Sequence, residues 1–438
     1  MKQPRRIRKK RTRRPAPMGP AEELNVQIES LGAQGDGIAR IEDRLFFVPN
    51  TAPGDEVSIA VGPKRGDGFS ATVLKTHQSG NARTEPFCPH FGACGGCALQ
   101  HVADDLYLDW KRTVVVDALR RRGLNDVPVG ETVCVPRASR RRATFSFDKR
   151  GGVLGFNARF SHRVVDVEHC ALLVPELDAM ITPLRRLLLK LGLAKASVML
   201  TRADSGLDVV IVAKEDLGLA EREALAAFAE AQDLARLSWM REGGKSAEAV
   251  SWRRHVRVTF GDTAVDVPSG GFLQPSTEGE AALVARIMAH MVGASKIADL
   301  FAGLGTFSFP LAKKALVHAV EGESFMTQAM ETSAGHAGLG GRLSAEARDL
   351  ERRPLTPKDL AKFDAVVFDP PRAGARNQAE FLAGAKSVTR IVGVSCNPQT
   401  FVRDARILVD GGFTLSGVTP IDQFAYSPHV EIVGTFVR

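Results

Sequence analysis

Apolar positions in the last third of the chain form short runs separated by helical patterns. Three of these runs, residues 297–301, 363–368 and 391–394, are apolar enough to be strands. Strands that alternate with helices are typical of a parallel, doubly wound sheet. We therefore predict an α/β fold whose C-terminal domain, residues 262–438, is doubly wound.

The rest of the chain carries two other patterns. Residues 24–76 alternate short β patterns with glycine turns, and this spacing predicts a small OB-like barrel over residues 22–77. Residues 140–260 mix β patterns with helical patterns, which indicates an α+β central domain within residues 78–261.

Charge is concentrated at the N-terminus. The 438 residues carry a formal net charge of +8, and residues 1–21 contain nine Lys or Arg and no acid, so residues 22–438 sum to −1. With so few apolar positions, the tail 1–21 is predicted to be disordered. A nucleic-acid surface on the folded part must then be local, and residues 111–163, with 13 basic and 4 acidic residues, are the candidate. Its arginine triplets, 120–122 and 140–142, are equally consistent with solvated faces.

The cysteines bear on the cellular compartment. No apolar run is long enough to span a bilayer, and no apolar segment follows the basic N-terminus as a signal peptide requires. This predicts a cytoplasmic protein, where thiols stay reduced and act as ligands, nucleophiles or core residues. Cys134, in the apolar run 133–135, is predicted to be core.

A glycine loop follows the strand at 297–301. Gly303 and Gly305 let the backbone approach a ligand closely, and Glu321 ends the next strand 22 residues after Asp299, the spacing of a ribose-binding acid. No third glycine completes a dinucleotide fingerprint. The pattern resembles instead motif I of class I methyltransferases, which bind S-adenosylmethionine, although a packing turn in another α/β enzyme has the same form. Asp369-Pro370-Pro371 resembles motif IV of those enzymes.

Cys396 stands at the carboxyl end of a predicted strand, where open α/β sheets build their active sites. Free cysteines are also among the most buried residue types, so packing is the alternative. A thiol would help a methyltransferase whose target is carbon 5 of uracil, because addition of a thiolate to carbon 6 makes carbon 5 nucleophilic. A base must then remove the carbon 5 proton. Glu431, at the head of a predicted strand, is the candidate base, although most such acids are merely solvated.

A second group of cysteines has the spacing of a metal site. Cys88, Cys94 and Cys97 follow the pattern Cys-x5-Cys-x2-Cys and give three of the four soft ligands that close a zinc or iron–sulfur site. The spacing does not separate the two metals. The histidines available to complete a zinc site are His90, His101 and His169.

Taken in order, these motifs resemble a known family. The N-terminal glycine turns, from Gly35-Asp36-Gly37 onward, resemble the TRAM domain of RNA-modifying enzymes. With the cysteine cluster, the methyltransferase motifs, Ser-Cys-Asn-Pro at 395–398 and His-Val-Glu at 429–431, residues 24–438 resemble the bacterial RNA uracil-5-methyltransferases. That family modifies uridines in 23S rRNA or in the tRNA T-loop. The resemblance implies methylation of carbon 5 of a uridine, first of all in 23S rRNA, with the tRNA T-loop as the alternative.

The resemblance also implies roles for individual residues. Cys396 matches the nucleophile and Glu431 the proton-abstracting base. Cys170 matches the fourth ligand of a [4Fe-4S] cluster held with the three clustered cysteines, and zinc is the less favoured metal. Positions that match contacts to S-adenosylmethionine are Gln274, Phe301, Thr306, Glu321, Asp349 and Asp369. Positions that depart from common family residues are Ala302, where many members have cysteine, and Thr306 and Asp349, where asparagine is common.

Other classes fit the pattern less well. A radical methylthiotransferase needs Cys-x3-Cys-x2-Cys and usually carries TRAM at the C-terminus. An amino-group methyltransferase has an aromatic residue where Arg372 stands and leaves Cys396 unexplained. A non-catalytic RNA-binding factor on this fold has no use for both Cys396 and Glu431. We therefore expect a monomeric, cytoplasmic enzyme that has RNA as its partner and no association with membranes.

Overall fold

A computed structural model of the protein describes residues 22–438. The basic tail predicted at 1–21 lies outside the described residues. The chain divides into two compact units between Arg83 and Thr84. None of the described helices is both long enough and apolar enough to cross a membrane.

The first unit is an all-β module, in agreement with the barrel-like pattern of its sequence. Its strands are β1 (Glu23–Gln27), β2 (Ser30–Leu31), β3 (Gly37–Ile41), β4 (Arg44–Val48), β5 (Glu56–Arg65) and β6 (Gly68–Gln78). They form one sheet in the order β1-β5-β6-β4-β3-β2. Its interior holds alternate apolar side chains such as Ile28, Phe46 and Ile59, each at most 1% exposed, as a half-buried sheet requires.

The second unit begins with the cysteine-containing segment and contains an α+β layer, as predicted. Its first elements are α1 (Asp104–Arg120), β7 (Val133–Cys134), β8 (Arg142–Asp148), β9 (Val153–Asn157), β10 (Val164–Asp166), α2 (Pro175–Ala179), α3 (Ile181–Lys190), β11 (Lys195–Ala203), β12 (Gly206–Ala213), α4 (Leu219–Ala231), β13 (Arg236–Arg241) and β14 (Glu248–Trp252). Seven of the strands form a sheet in the order β10-β9-β8-β11-β12-β13-β14. Helices α3 and α4 bury Leu184, Leu188 and Leu225 in the core of this layer.

The last elements build the predicted doubly wound sheet. They are β15 (Arg257–Phe260), β16 (Thr263–Asp266), α5 (Thr277–His290), β17 (Lys296–Leu300), α6 (Ser308–Ala312), β18 (Leu316–Glu321), α7 (Ser324–His336), β19 (Leu343–Ala347), α8 (Pro357–Leu360), β20 (Ala365–Phe368), α9 (Arg376–Gly384), β21 (Arg390–Ser395), α10 (Pro398–Asp410), β22 (Thr414–Asp422) and β23 (Glu431–Val437). The sheet order is β19-β18-β17-β20-β21-β23-β22-β7. The first five strands in this order, from β19 through β18, β17 and β20 to β21, are parallel to one another. Strand β23 is antiparallel to both of its neighbours. The connection from β22 to β23, residues 423–430, is a hairpin loop and is too short for the crossover that a parallel pair needs.

Packing crosses the domain limits that the sequence predicts. In α1, Val115 and Leu119 pack in one core with Phe401 of α10 and Leu415 of β22. The short strand β7 pairs with the end of β22 as the last strand of the doubly wound sheet. Residues 104–134, assigned to the central region by their sequence pattern, therefore pack on the C-terminal sheet. The predicted boundary at residue 262 falls within the β15–β16 hairpin.

A buried ion pair fixes the β22–β23 loop to helix α1. Lys111 Nζ lies 2.8 Å from Asp422 Oδ1, and the two side chains are 0% and 1% exposed. Tyr107 donates to Asp422 Oδ2 at 2.5 Å and accepts from the backbone N–H of Tyr426 at 2.7 Å. Lys111 also donates to the carbonyl of His429. Helix α1 thus holds this loop at its start, its middle and its end.

Loss of the Lys111 charge is expected to be costly. In the Lys111→Met variant Asp422 becomes a buried carboxyl without its cation, and we expect the free energy of unfolding to fall by about 3–5 kcal/mol. The matched control is Lys195→Met, whose ion pair with Asp148 spans 3.8 Å and whose side chain is 78% exposed. That change should cost less than about 1 kcal/mol. Denaturant unfolding measures both values, and equal losses would contradict the assignment.

Candidate active site

Three residues with reactive side chains lie together at the carboxyl edge of the doubly wound sheet. Asp369 follows β20 and Cys396 follows β21, so both lie where these parallel strands end. Glu431 opens β23, which runs in the opposite direction and starts at this same edge. The backbone pairing of Ser395 with Ile432 sets Cys396 beside Glu431 in the strand register. The structure therefore brings the predicted nucleophile and the predicted base together.

Two glutamine side chains join the carboxyl groups of this edge. Gln274 Nε2 donates to Asp369 Oδ2 at 3.1 Å. Gln423 Nε2 donates to Gln274 Oε1 at 3.1 Å and to Glu431 Oε2 at 2.7 Å. All four of these side chains are buried or partly buried, and one oxygen of each carboxyl group accepts from an uncharged amide donor. Gln423 is a site residue that the sequence patterns did not identify, although it too follows directly on a strand.

Burial and mutual repulsion set the protonation of these groups. Burial, followed by the Asp369 carboxylate, raises the pKa of Glu431 well above its ordinary value, and the Gln423 hydrogen bond works against this shift. Burial likewise raises the pKa of Asp369. Burial, then Glu431 and Asp369, raise the pKa of the Cys396 thiol to about 11, with Arg372 opposing them. The thiol is therefore protonated at neutral pH and must lose its proton before it can act as a nucleophile.

The glycine loop after β17 has an open side. Phe301 adopts φ 61°, a left-handed conformation that is strained for a bulky residue, and Gly303 has φ 57°. A Cβ on Gly303 would have no neighbouring atom within 4 Å, so this backbone faces free space. Thr306 is half-buried at the end of the loop. The predicted helix after the loop is present but short, since it begins at Ser308 and ends at Ala312.

Glu321 closes the side of this loop. Its carboxylate accepts from Gly303 N–H at 2.9 Å and from Glu323 N–H at 3.1 Å. Asp299, at 0% exposure beneath the loop, accepts from the Ser308 hydroxyl at 2.6 Å. Burial raises the pKa of Asp299 to about 7; Ser308 opposes this shift, and Asp369 and Glu321 add to it. Four acidic positions thus share one edge of the sheet.

The remaining predicted cofactor positions reach the same edge. Asp349 follows β19, and its Oδ1 accepts from the N–H groups of Glu351 at 3.0 Å and Arg352 at 3.2 Å. Gln274 precedes α5, whose N-cap Ser276 accepts from Gly279. A cavity of about 310 Å³ lies at the opposite edge, where β17, β18 and β19 begin, and none of the predicted site residues lines it.

Arg372 and His429 form the outer side of the edge. Arg372 Nη2 lies 3.3 Å from His429 Nδ1, and Asn397 Nδ2 donates to the Arg372 carbonyl at 3.1 Å. Burial, and the positive charges of Arg372, Lys111 and Arg140, lower the pKa of His429 to about 4. His429 is therefore neutral at neutral pH, and Arg372 is the exposed cation next to Cys396.

The predicted metal ligands form a separate group. Cys88, Cys94, Cys97 and Cys170 are half-buried free thiols. Burial raises the pKa of Cys97 to about 12, opposed by Gln100 and increased by the thiols of the other three cysteines, which are therefore its neighbours. Within residues 22–438, no group of three or more His, Cys, Asp or Glu is arranged to hold a metal ion. His169, one of the alternative zinc ligands, is 82% exposed and contacts Asp178 at 3.1 Å.

The prediction that Cys134 belongs to the core is wrong. Cys134 is exposed, whereas Val135 next to it is 4% exposed. Successive residues of a strand face opposite sides, so an apolar run on an edge strand buries only alternate members. Its neighbours Val133 and Val135 both pack on the core of the doubly wound sheet.

The two arginine triplets have different surroundings. Arg120, Arg121 and Arg122 are exposed at the end of α1. The triplet at 140–142 is largely internal: Arg141 is buried and forms a 2.6 Å ion pair with Glu280, and Arg142 donates to the Leu273 carbonyl at 3.1 Å. The prediction that the second triplet binds phosphate is therefore wrong for Arg141, because its guanidinium is buried and paired with Glu280.

Comparison with known proteins agrees with this architecture. The profile of the tRNA (uracil-5-)-methyltransferase family matches residues 343–438, and that of the TRAM domain matches residues 20–62. The crystal structure of a Pyrococcus abyssi tRNA (uracil-54, C5)-methyltransferase in complex with S-adenosyl-L-homocysteine is similar with a TM-score of 0.74 and 22% identity, covering 94% of this chain and all of that one. Fold and site together define a class I methyltransferase with an N-terminal TRAM domain.

Sequence relatives are closer. An uncharacterized RNA methyltransferase of Brucella suis biovar 1 is 42% identical over 417 residues, which cover 94% of this chain and 97% of the relative. The 23S rRNA (uracil(1939)-C(5))-methyltransferase RlmD of Pectobacterium carotovorum is 31% identical over 96% of this chain and 95% of its own. The chain belongs to the family of S-adenosylmethionine-dependent RNA uracil-5-methyltransferases.

Proposed function

We propose that the protein methylates carbon 5 of a uridine in 23S rRNA through a covalent adduct with Cys396, and that Glu431 removes the carbon 5 proton. The observation that carries this proposal is the register of β21 and β23, which sets Cys396 beside a buried carboxyl group. A thiol and a base at one site are what uracil C5 chemistry requires and what transfer to a nitrogen lone pair does not.

The glycine-loop side of the edge fits S-adenosylmethionine. The free space over Gly303 admits a ligand against the backbone, and Glu321 is placed to accept from ribose hydroxyls. S-adenosylmethionine supplies a methyl group on a positively charged sulfur. We assign its contacts to the six positions suggested by the family resemblance: Gln274, Phe301, Thr306, Glu321, Asp349 and Asp369.

The catalytic side handles two protons. Cys396 loses the first as its sulfur bonds to carbon 6 of the uracil, and Asp369 is the acceptor beside it that leaves Glu431 unprotonated for the second proton. Carbon 5 then takes the methyl group, and the electron pair of the broken methyl–sulfur bond would stay on the sulfur of the methyl donor. Glu431, as a carboxylate, accepts the carbon 5 proton, while the bond between carbon 6 and sulfur breaks and its electron pair returns to Cys396. Gln423 holds the Glu431 carboxylate through its 2.7 Å hydrogen bond and acts as a positioning residue.

The relatives favour rRNA as substrate. The Pectobacterium relative, whose name gives a 23S rRNA uridine, covers nearly the whole chain at higher identity than the tRNA-modifying Pyrococcus enzyme. The tRNA T-loop is the second candidate. We assign RNA binding to the TRAM module at 22–77 and to the central region at 78–261, and catalysis to residues 262–438. We place the reaction in the cytoplasm. Mapping of 5-methyluridine in rRNA and tRNA from a deletion strain separates the two substrates.

Covalent trapping tests the mechanism. RNA that carries 5-fluorouridine should form a stable adduct, because the base cannot remove fluorine. Cys396→Ala should form no adduct and lose roughly a thousandfold or more in turnover, with nearly unchanged affinity for S-adenosylmethionine. Glu431→Gln should accumulate an adduct on ordinary RNA, since only the last proton transfer is lost. Denaturing gels report both results.

The control for the trapping experiment is Cys134→Ala, which removes an exposed thiol elsewhere on the sheet. It should trap RNA as the unaltered protein does. Turnover by Cys396→Ala at a rate near that of the unaltered protein would disprove covalent catalysis. Rapid release of methylated RNA from Glu431→Gln would show that another base removes the carbon 5 proton.

The hydrogen bond from Gln423 predicts a shift in pH dependence. Glu431 must be deprotonated to act as base, and burial and the negative charge of Asp369 oppose its ionisation. Gln423→Leu removes the donor that favours the carboxylate, so the pKa of Glu431 rises. The acidic limb of adduct resolution should move to higher pH by about one to two units. The control is Gln232→Leu, which alters the C-cap of helix α4. An unchanged pH dependence in Gln423→Leu would contradict the role of Gln423 as a donor to Glu431.

We also propose that Cys88, Cys94, Cys97 and Cys170 hold a [4Fe-4S] cluster. Two observations support this assignment. The other three cysteines raise the pKa of Cys97, so the four thiols lie near one another, and their number matches cysteine-only ligation. A cluster of four irons separates its ligands more widely than a single ion does, so the lack of a mononuclear arrangement among the described residues is compatible with it. The cluster would bind the segments around residues 88–97 and 170 to each other.

Iron analysis checks this assignment. Protein purified without oxygen should be brown and contain about four iron and four sulfide per chain. Cys170→Ser should lose the colour and unfold at lower temperature, whereas Cys134→Ser should keep both. A colourless protein with one zinc per chain would replace the iron assignment and leave the methyltransferase proposal standing.

A further inference from the structure

The tip of the β9–β10 hairpin presents an aromatic side chain to solvent. Phe160 is 77% exposed, although large apolar side chains are usually buried. Its φ is 55°, a left-handed conformation that costs a bulky residue energy. The guanidinium of Arg159 lies 4.9 Å from the centre of the Phe160 ring. Neither the core nor the backbone conformation explains why phenylalanine stands here.

The tip is an ordered turn. Ala158 N–H donates to the Arg163 carbonyl at 2.8 Å, and Ser161 N–H donates to the Ala158 carbonyl at 3.0 Å. The Ser161 hydroxyl accepts from Arg163 N–H at 3.1 Å. These bonds close residues 158–163 across the β9–β10 pair and hold the Phe160 ring outward at a defined place.

The hairpin is fixed to the cysteine segment. Gly95 N–H donates to the Asn157 carbonyl at 2.9 Å, and Cys94 forms a β-bridge with Ala158. A Cβ on Gly95 would lie 2.7 Å from the Asn157 oxygen and 2.9 Å from Arg159 N, so only glycine permits this approach. The backbone of the hairpin tip is therefore held against the cysteine segment.

Backbone contacts continue from the cysteine segments to the proposed catalytic edge. The N–H groups of Ala98 and Leu99 donate to the Tyr426 carbonyl, in the loop between Gln423 and Glu431, at 2.8 and 3.1 Å. On the other side, Arg140 bonds to Leu172, two residues after Cys170, and forms a β-bridge with Ser276 near Gln274. The hairpin tip thus belongs to the same packed body as the catalytic edge.

Charge at the tip suits RNA. Residues 158–163 contain Arg159, His162 and Arg163 and no acid. Unpaired bases stack on aromatic rings and guanidinium planes whatever their sequence, since every base has a π face. A target uridine must leave its stack to reach Cys396, and this costs least where the RNA is already single-stranded.

We propose that residues 158–163 form a binding site for single-stranded RNA next to the target uridine, in which Phe160 stacks on an unpaired base and Arg159 and Arg163 bind phosphates. This inference rests on the proposed function. In this proposal the hairpin tip is the part of the enzyme that binds the single-stranded RNA beside the target uridine.

Binding of a short single-stranded oligouridine to the full-length protein tests the site. Phe160→Asn should raise the dissociation constant roughly 5- to 150-fold without changing its salt dependence, since stacking releases no counterions. Arg159→Gln with Arg163→Gln should flatten the salt dependence. Phe160→Tyr should bind as the unaltered protein does. Leu219→Ala, which alters a 74% exposed residue on α4, is the control.

Stability separates binding from folding. Asparagine tolerates a left-handed conformation better than phenylalanine, so Phe160→Asn should unfold at the same or a higher temperature while it loses RNA affinity. Unchanged oligouridine affinity in Phe160→Asn would overturn the inference, even if 5-fluorouridine RNA is trapped normally. Failure to trap that RNA with the unaltered protein would overturn the proposed function instead, and a loss of oligouridine affinity in Phe160→Asn would still support the binding site.

Discussion

The direction of one strand decides whether Cys396 and Glu431 lie at the same edge of the sheet. Strand β21 runs toward the functional edge and ends at Cys396, whereas β23 runs away from it and begins with Glu431. If β23 were parallel to β21, Glu431 would lie at the other end of the strand, roughly 20 Å away. The hairpin that reverses the chain is therefore the constraint on which the site depends, and helix α1 holds that hairpin in place through Lys111 and Asp422.

Uncharged partners keep the carboxyl groups of the site able to take up a proton. Gln274 and Gln423 satisfy Asp369 and Glu431 without adding a positive charge, so burial dominates and both pKa values rise. Asp55 in the first unit shows the contrast: it is also buried, but Arg83 and two backbone N–H groups bring its pKa below the ordinary value. An arginine in place of either glutamine would stabilise the carboxylate and lower its pKa, so the group would no longer take up a proton near neutral pH.

The sequence was informative where a polar side chain ends an apolar strand. The positions of Cys396, Asp369 and Glu321 at one edge of the sheet were predicted in this way, because the carboxyl ends of parallel strands share one edge. Gln423 also follows a strand, but its contacts are to Glu431 across the antiparallel hairpin and to Gln274 before α5, and local periodicity encodes neither of these. Cys134 and Arg141 were assigned wrongly for a related reason: which face a residue shows, and whether Glu280 lies opposite, are decided by packing between distant segments. The motif pattern found the elements and missed the contacts between them.

The contact between Tyr107 and Asp422 joins residues that are 315 positions apart in the chain. During synthesis at roughly 5–20 residues per second, helix α1 leaves the ribosome tens of seconds before its partner strand exists. The cysteine segment, whose Ala98 and Leu99 bond to Tyr426, must wait through the same interval. Neither segment can complete its packing until the last strands have been made, so the final folding of the second unit has to follow synthesis of nearly the whole chain.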